Sequence, residues 1–175
     1  MKDIKDLKVL IDSATLNKRI NEVATLINSK YKNNEKLTVI CILKGAVMFY
    51  TELVKHLKMP IEMEFLNLSS YGNSFKSSGN VEMKGVLPNL NDKNVLIVED
   101  IIDSGLTLKF LIDKINSSFK VNSLALAVLF DKKCARKHDV KVDFSAFEID
   151  DKFIVGFGLD YEGIYRNLDY IGYFE

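Results

Sequence analysis

The sequence predicts an α/β domain built on a parallel sheet. Short β-rich apolar runs, LTVICIL at 37–43, VLIV at 95–98 and LALAVLF at 124–130, have the form of strands buried on both faces. Stretches with helical spacing alternate with them, the order expected of successive βαβ units. The 95–98 run also ends in carboxylates and a Ser-Gly turn, and open parallel sheets bind ligands beyond the carboxyl ends of their strands.

Each element follows from its own pattern. Ser13 is the expected N-cap of a helix reaching about Lys30, with Leu16, Ile20, Val23, Ala24 and Ile27 on one face. Leu37–Leu43 is the first buried strand, ended by Lys44-Gly45. Residues 46–57 read as a helix that stops before Pro60. Residues 61–68, IEMEFLNL, alternate strictly and predict a half-exposed strand. Residues 69–80, SSYGNSFKSSGN, hold five serines and two glycines with no apolar period, and predict a mobile loop. Further strands are expected at 81–87, 95–98, 124–130, 144–147 and 153–155, with a helix at 107–119. Neither a repeat nor a linker divides the chain.

The chain has 175 residues, enough for one domain that needs no disulfide or metal to fold. Hydrophobic residues make up 47% and charged residues 27%, which excludes disorder as the main state. Lys plus Arg and Asp plus Glu are both 24, so no net positive field draws in nucleic acid. Cys41 and Cys134 stand far apart with no CxxC pair or Cys/His cluster, the pattern of two free thiols rather than a zinc site. The N-terminal residues mix charge with short apolar pieces, unlike a signal peptide or membrane span. A cytoplasmic protein without membrane contact is expected. His56 and His138 lack a neighbouring nucleophile motif, which disfavours a histidine-based hydrolase.

Residues 95–107, VLIVEDIIDSGLT, carry the chemistry. The apolar strand runs into Glu99 and Asp100, then Asp103, and Ser104-Gly105-Leu106-Thr107 opens a helix. A Ser-Gly-x-Thr turn at a helix start offers free N–H groups, two hydroxyls and the positive helix end, which suit phosphate. Carboxylates beside phosphate repel it unless they hold another part of the ligand. Carboxylates accept hydrogen bonds from vicinal hydroxyls and coordinate Mg²⁺, so a ribose 5-phosphate satisfies both halves. No GxxxxGK[ST] occurs, and Gly156-x-Gly158 lacks the third glycine and strand-to-helix setting of a dinucleotide fingerprint.

VLIVEDIIDSGLTL resembles the phosphoribosyl pyrophosphate motif of the purine phosphoribosyltransferases, specifically their hypoxanthine-guanine branch. Leu43-Lys44-Gly45 resembles that family's pyrophosphate loop, and Ser69-Ser70-Tyr71-Gly72 the start of its mobile loop. Asp131-Lys132-Lys133 with Arg136, and the stretch from Asp151 through Asp160-Tyr161 to Tyr165-Arg166, resemble its purine-binding end. The likeness covers nearly all of residues 37–170. It implies the type I phosphoribosyltransferase fold, a parallel sheet core flanked by helices with a small hood over the active site. Residues 1–175 would form one domain, with the core at about 37–145 and the hood from the N-terminal segment and about 146–175.

By this resemblance, Glu99 and Asp100 lie against the ribose hydroxyls and their Mg²⁺, and Asp103 is the catalytic base facing N7 of the purine. Ser104, Gly105, Leu106 and Thr107 hold the 5-phosphate. The family often has a polar or basic residue where Leu106 stands. Lys44, Gly45 and Arg166 meet pyrophosphate, and the family's Leu-Lys peptide at 43–44 can be cis. Lys132 donates to the 6-oxo group, Phe153 stacks on the base, and Ile154 recognises it through its backbone. Asp160 binds a second Mg²⁺, and Ser70 and Tyr71 belong to the mobile loop.

The implied reaction is Mg²⁺-dependent transfer of 5-phosphoribosyl from phosphoribosyl pyrophosphate to N9 of hypoxanthine or guanine, for purine salvage and IMP biosynthesis. A homodimer or homotetramer is implied as well. Two other readings stay open. One is a nucleotide-sensing RNA-binding regulator on this fold, disfavoured by the zero net charge. The other is an enzyme for another base: Lys132 disfavours adenine, whose 6-amino group would face a donor with a donor, and xanthine remains open.

Overall fold

The computed structural model describes residues 6–32, 35–70 and 81–174. Along the chain lie β1 (Leu7–Ile11), α1 (Ser13–Lys30), β2 (Leu37–Leu43), α2 (Val47–Lys55), β3 (Ile61–Ser70), β4 (Val81–Lys84) and β5 (Asn94–Ile102). Then come α3 (Leu106–Ser118), β6 (Ser123–Asp131), a 3-10 turn at Lys133–Ala135, β7 (Phe144–Glu148), β8 (Ile154–Val155) and β9 (Ile171–Phe174). Residues 71–80, which include most of the predicted mobile loop and Tyr71, lie outside the described residues.

The main sheet has the order β4-β3-β2-β5-β6-β7. All its pairings are parallel except that of the edge strand β4 with β3. Alternation along the central strands divides the core in two. Val39 and Cys41 of β2, with Leu96 and Val98 of β5, face α1 and α2. Ile40 and Ile42, with Val95 and Ile97, face α3. Both faces are covered, so β2 needs no polar face, as its continuous apolar run implied.

Helix α1 buries Leu16, Ile20, Val23, Ala24 and Ile27, the face expected from their spacing. Burying each of the larger aliphatic side chains is worth roughly 1.5–3 kcal/mol. Its cap differs from expectation: Asp12 accepts from the Thr15 N–H at 2.7 Å, and Ser13 is the first helical residue. Aspartate caps as well as serine does, and the carboxylate adds charge complementarity to the helix end.

A second, three-stranded sheet of order β1-β9-β8 takes its strands from the two ends of the chain. Strands β1 and β9 fall where the sequence pattern predicts none. The pairing of β1 with β9 shifts register between Val9 and Ile11, so its apolar residues do not keep a strict two-residue period.

Candidate active site

Strand β5 runs four residues past its expected end, carrying Glu99 and Asp100 beyond the apolar run to the rim of a cavity. The cavity has a volume of about 1000 Å³ and is lined by Gly45, Glu99, Asp100, Asp103, Ser104, Gly105, Leu106, Thr107, Lys132, Lys137, Asp151, Asp160 and Arg166, among others. Beside β5, strand β2 ends at Leu43, and the Leu43–Lys44 peptide is cis. A Cβ on Gly45 would collide with the Asp100 carboxylate, so a side chain there would displace that acid from its present position.

Glu99 is 8% exposed, and its carboxylate accepts from the Asp100 N–H at 3.0 Å. Burial, then the neighbouring Asp100 charge, holds the Glu99 carboxyl well above the usual carboxylate range. Among the described residues no three His, Cys, Asp or Glu side chains gather into a metal-sized cluster. Two adjacent hard oxygen donors at an open cavity do not make an all-protein cage. They fit Mg²⁺, which keeps much of its water and shares its remaining ligands with substrate phosphates. Asp160, expected at a second Mg²⁺, has both oxygens engaged within the chain. One pairs with Arg166 at 2.5 Å and the other accepts from the Gly163 N–H at 2.7 Å.

The turn after β5 is held by the loop that follows β6. Gly105 adopts φ +84° immediately before α3, a left-handed conformation that strains any residue with a Cβ. The Ser104 carbonyl accepts from the Lys137 and His138 N–H groups, both at 3.0 Å. Arg136 donates to the Asp103 carbonyl at 3.3 Å and the Val140 carbonyl at 3.1 Å, and pairs with buried Asp131 at 2.5 Å. The segment 136–138 thus braces residues 103–104 through three hydrogen bonds to their carbonyls, one from the Arg136 side chain and two from backbone N–H groups, and Ser104, Gly105, Leu106 and Thr107 all line the cavity.

Lys132 lies beside the end of β5, its N–H donating to the Ile102 carbonyl at 3.1 Å, and pairs with Asp151 at 2.5 Å, the lysine side chain being 12% exposed and the aspartate 83%. Burial works to lower the Lys132 pKa, but the Asp151 hydrogen bond and the charges of Asp103 and Asp151 outweigh it and leave it raised. Arg166 also donates to the Gly158 carbonyl at 2.6 Å.

Most of the sequence-predicted residues therefore meet in one cavity. Lys44, Phe153 and Ile154 are not on its lining. Lys44 is exposed beside Gly45, and Ile154 is a core residue. Phe153 is 59% exposed, with its ring edge-on to Tyr161 at 5.8 Å, and precedes β8 rather than starting it. Ser70 ends β3. Sequence reasoning gave Lys137 no role, and named Asp151 only as the start of the stretch that resembles the purine-binding end. Both sit in charged stretches without period, and only tertiary pairing brings them to the turn and to Lys132.

Residues 12–162 match the phosphoribosyl transferase domain. The chain belongs to that family. A hypoxanthine-guanine phosphoribosyltransferase of Bacillus subtilis (strain 168) is 44% identical over 166 residues, 94% of this chain and 91% of that protein. One from Streptococcus thermophilus (strain CNRZ 1066) is 41% identical over 172 residues, 98% of this chain and 93% of that protein. A crystal structure of a hypoxanthine phosphoribosyltransferase from Staphylococcus aureus superposes with a TM-score of 0.91 at 35% identity, covering 100% of this chain and 96% of that one. The parallel sheet with flanking helices is the type I phosphoribosyltransferase fold. Among the described residues no helix is long and apolar enough to cross a membrane.

Proposed function

We propose that the chain transfers 5-phosphoribosyl from phosphoribosyl pyrophosphate to N9 of hypoxanthine or guanine, in purine salvage. One observation carries this: a single cavity joins the β5 carboxylates, the Ser104–Thr107 turn and the Lys132 ammonium. A ligand spanning them needs hydroxyls, a phosphate and a hydrogen-bond acceptor, in that arrangement. The family match and the 6-oxopurine names of the relatives support the same reading.

In this reading Ser104, Gly105, Leu106 and Thr107 bind the 5-phosphate, and Glu99 and Asp100 orient the ribose hydroxyls. Lys132 leaves Asp151 to donate to the 6-oxo oxygen. Phe153 stacks on the base beside the Ile154 backbone. Lys44, Gly45 and Arg166 bind pyrophosphate, and Arg166 exchanges its Asp160 contact for it. Glu99 and Asp100 would hold Mg²⁺ and Asp160 a second ion, whose chemistry when bound would be positive charge against the leaving group. The bond from the anomeric carbon to pyrophosphate breaks with its electron pair leaving on oxygen, N9 bonds to that carbon, and Asp103 accepts the purine proton at N7.

The sheet β1-β9-β8 belongs to the hood. Free Cys41 and Cys134 support a cytoplasmic location, and the family resemblance supports a homodimer or homotetramer, which light scattering tests. The decisive experiment is a purine panel with phosphoribosyl pyrophosphate and Mg²⁺. Nucleotide should form from hypoxanthine or guanine, not from adenine, and should stop after chelation with EDTA. No turnover of any 6-oxopurine would reject the assignment.

A further inference from the structure

We infer that the Lys137 side chain binds the 5-phosphate, supplying the cationic contact that Leu106 does not. This rests on the phosphoribosyl reading of the cavity. Lys132, Lys137 and Arg166 are the cationic side chains on the described lining. Lys132 is paired with Asp151 and Arg166 with Asp160. Lys137 has no carboxylate within ion-pair distance among the described residues, although Glu99, Asp100 and Asp103 share its cavity. A phosphate entering beside three carboxylates needs compensating positive charge. The turn itself offers N–H and hydroxyl donors but no cation, since Leu106 carries no polar side-chain atom.

The backbone already places Lys137 for this role. Its N–H donates to the Ser104 carbonyl at 3.0 Å, so its Cα is fixed beside the first residue of the phosphate turn. The side chain is exposed and lines the cavity beside Ser104, Gly105 and Thr107. An ammonium group is a point charge that needs no fixed fork geometry, so a flexible stem anchored at its base suffices to reach a phosphate oxygen. The lysine therefore reads the phosphate rather than the base or the ribose, and its removal acts on phosphate-bearing ligands alone.

The test compares two ligands that differ only in that group, inosine 5′-monophosphate and inosine, by titration calorimetry or competition. Lys137→Ala should weaken the monophosphate by about ten-fold, the scale of one charge-assisted hydrogen bond at a partly exposed site, and leave inosine unchanged. Lys137→Arg should keep most of the affinity, and Leu106→Lys added to Lys137→Ala should restore it. Lys120→Ala, beyond the far end of α3 and roughly 20 Å of helix away, controls for net charge and should change neither ligand. Equal loss for both ligands in Lys137→Ala, no loss for either, or an equal loss in Lys120→Ala overturns the inference. Failure of the unaltered protein to prefer the monophosphate over inosine is a different result. It rejects the phosphate turn itself and this inference with it.

Discussion

The charged lining of the cavity is made in two different ways. One part comes from a single continuous segment, 99–107, whose strand and helix fix each group by backbone geometry. The other gathers Lys132, Asp151, Asp160 and Arg166 from stretches distant in sequence and holds them by ion pairs within the chain. In the first, backbone N–H groups already hold the acids, Glu99 by Asp100 and Asp100 by Ile101, and among the described residues no ion pair has to break. In the second, under the proposed function, substrate displaces a carboxylate from each cation. One part would thus be preorganised and the other would work by exchange of partners, and the two should respond differently to substitution.

The largest effect belongs to the preorganised half. Asp103→Asn keeps the shape of the residue and removes its proton acceptance. Turnover should fall by about 10²–10⁴-fold, the usual contribution of general base catalysis, with the melting temperature unchanged. Single-turnover kinetics checks this, and wild-type turnover would remove Asp103 from the chemistry. Next comes the brace behind the turn. Arg136→Ala would strand Asp131, only 5% exposed, without its partner. Losing one member of a buried pair costs about 3–5 kcal/mol, so thermal unfolding should drop by roughly 10 °C. Arg136→Lys should recover only part of this, because lysine lacks the planar fork that reaches Asp131 and two carbonyls together. A melting temperature unchanged in Arg136→Ala would show that the turn holds its shape unaided.

The same division decided what could be read from sequence. The local end was legible because its signals are adjacent: an apolar run, two acids, then Ser-Gly-Leu-Thr opening a helix. Leu37–Leu43 was placed to the residue, because a run buried from 37 to 42 is bounded by the charged Lys36 and Lys44. Strands β1 and β9 were not legible, since each depends on the other end of the chain and their pairing is irregular. The dispersed part of the lining was named only through family resemblance. Nothing in the run Arg136-Lys137-His138-Asp139 shows that two of its amides reach Ser104, and nothing near Asp151 shows that it holds Lys132. Contacts set by tertiary pairing leave no period in the sequence.

A middle-sized effect should appear where the exchanging half meets the base. Lys132→Ala removes a largely covered ammonium. Affinity for hypoxanthine or guanine should fall by the worth of a charge-assisted hydrogen bond, about 1.5–3 kcal/mol, while affinity for phosphoribosyl pyrophosphate stays the same. Equal weakening of both substrates would mean that Lys132 acts on the cavity as a whole rather than on the base.

The smallest effect tests the exchange directly. Asp151 is 83% exposed, so its pair with Lys132 should contribute less than about 1 kcal/mol to folding. Asp151→Asn should therefore leave the melting temperature nearly unchanged. It should tighten purine binding by a few-fold, because Lys132 no longer has to leave a carboxylate. The pH dependence separates this from a folding effect. The Lys132 pKa lies above its ordinary value of 10.5, so the folded state holds that proton more tightly than the unfolded one. The resulting stability is fully present below 10.5 and is lost only as pH rises through the higher folded value. Asp151→Asn should thus leave the pH dependence of stability flat relative to wild type across about pH 6 to 9, while purine affinity rises throughout that range. Weaker purine binding in Asp151→Asn would show the reverse: Asp151 would then be the residue that aims Lys132 at the base, and this part of the lining would be as preorganised as the segment 99–107.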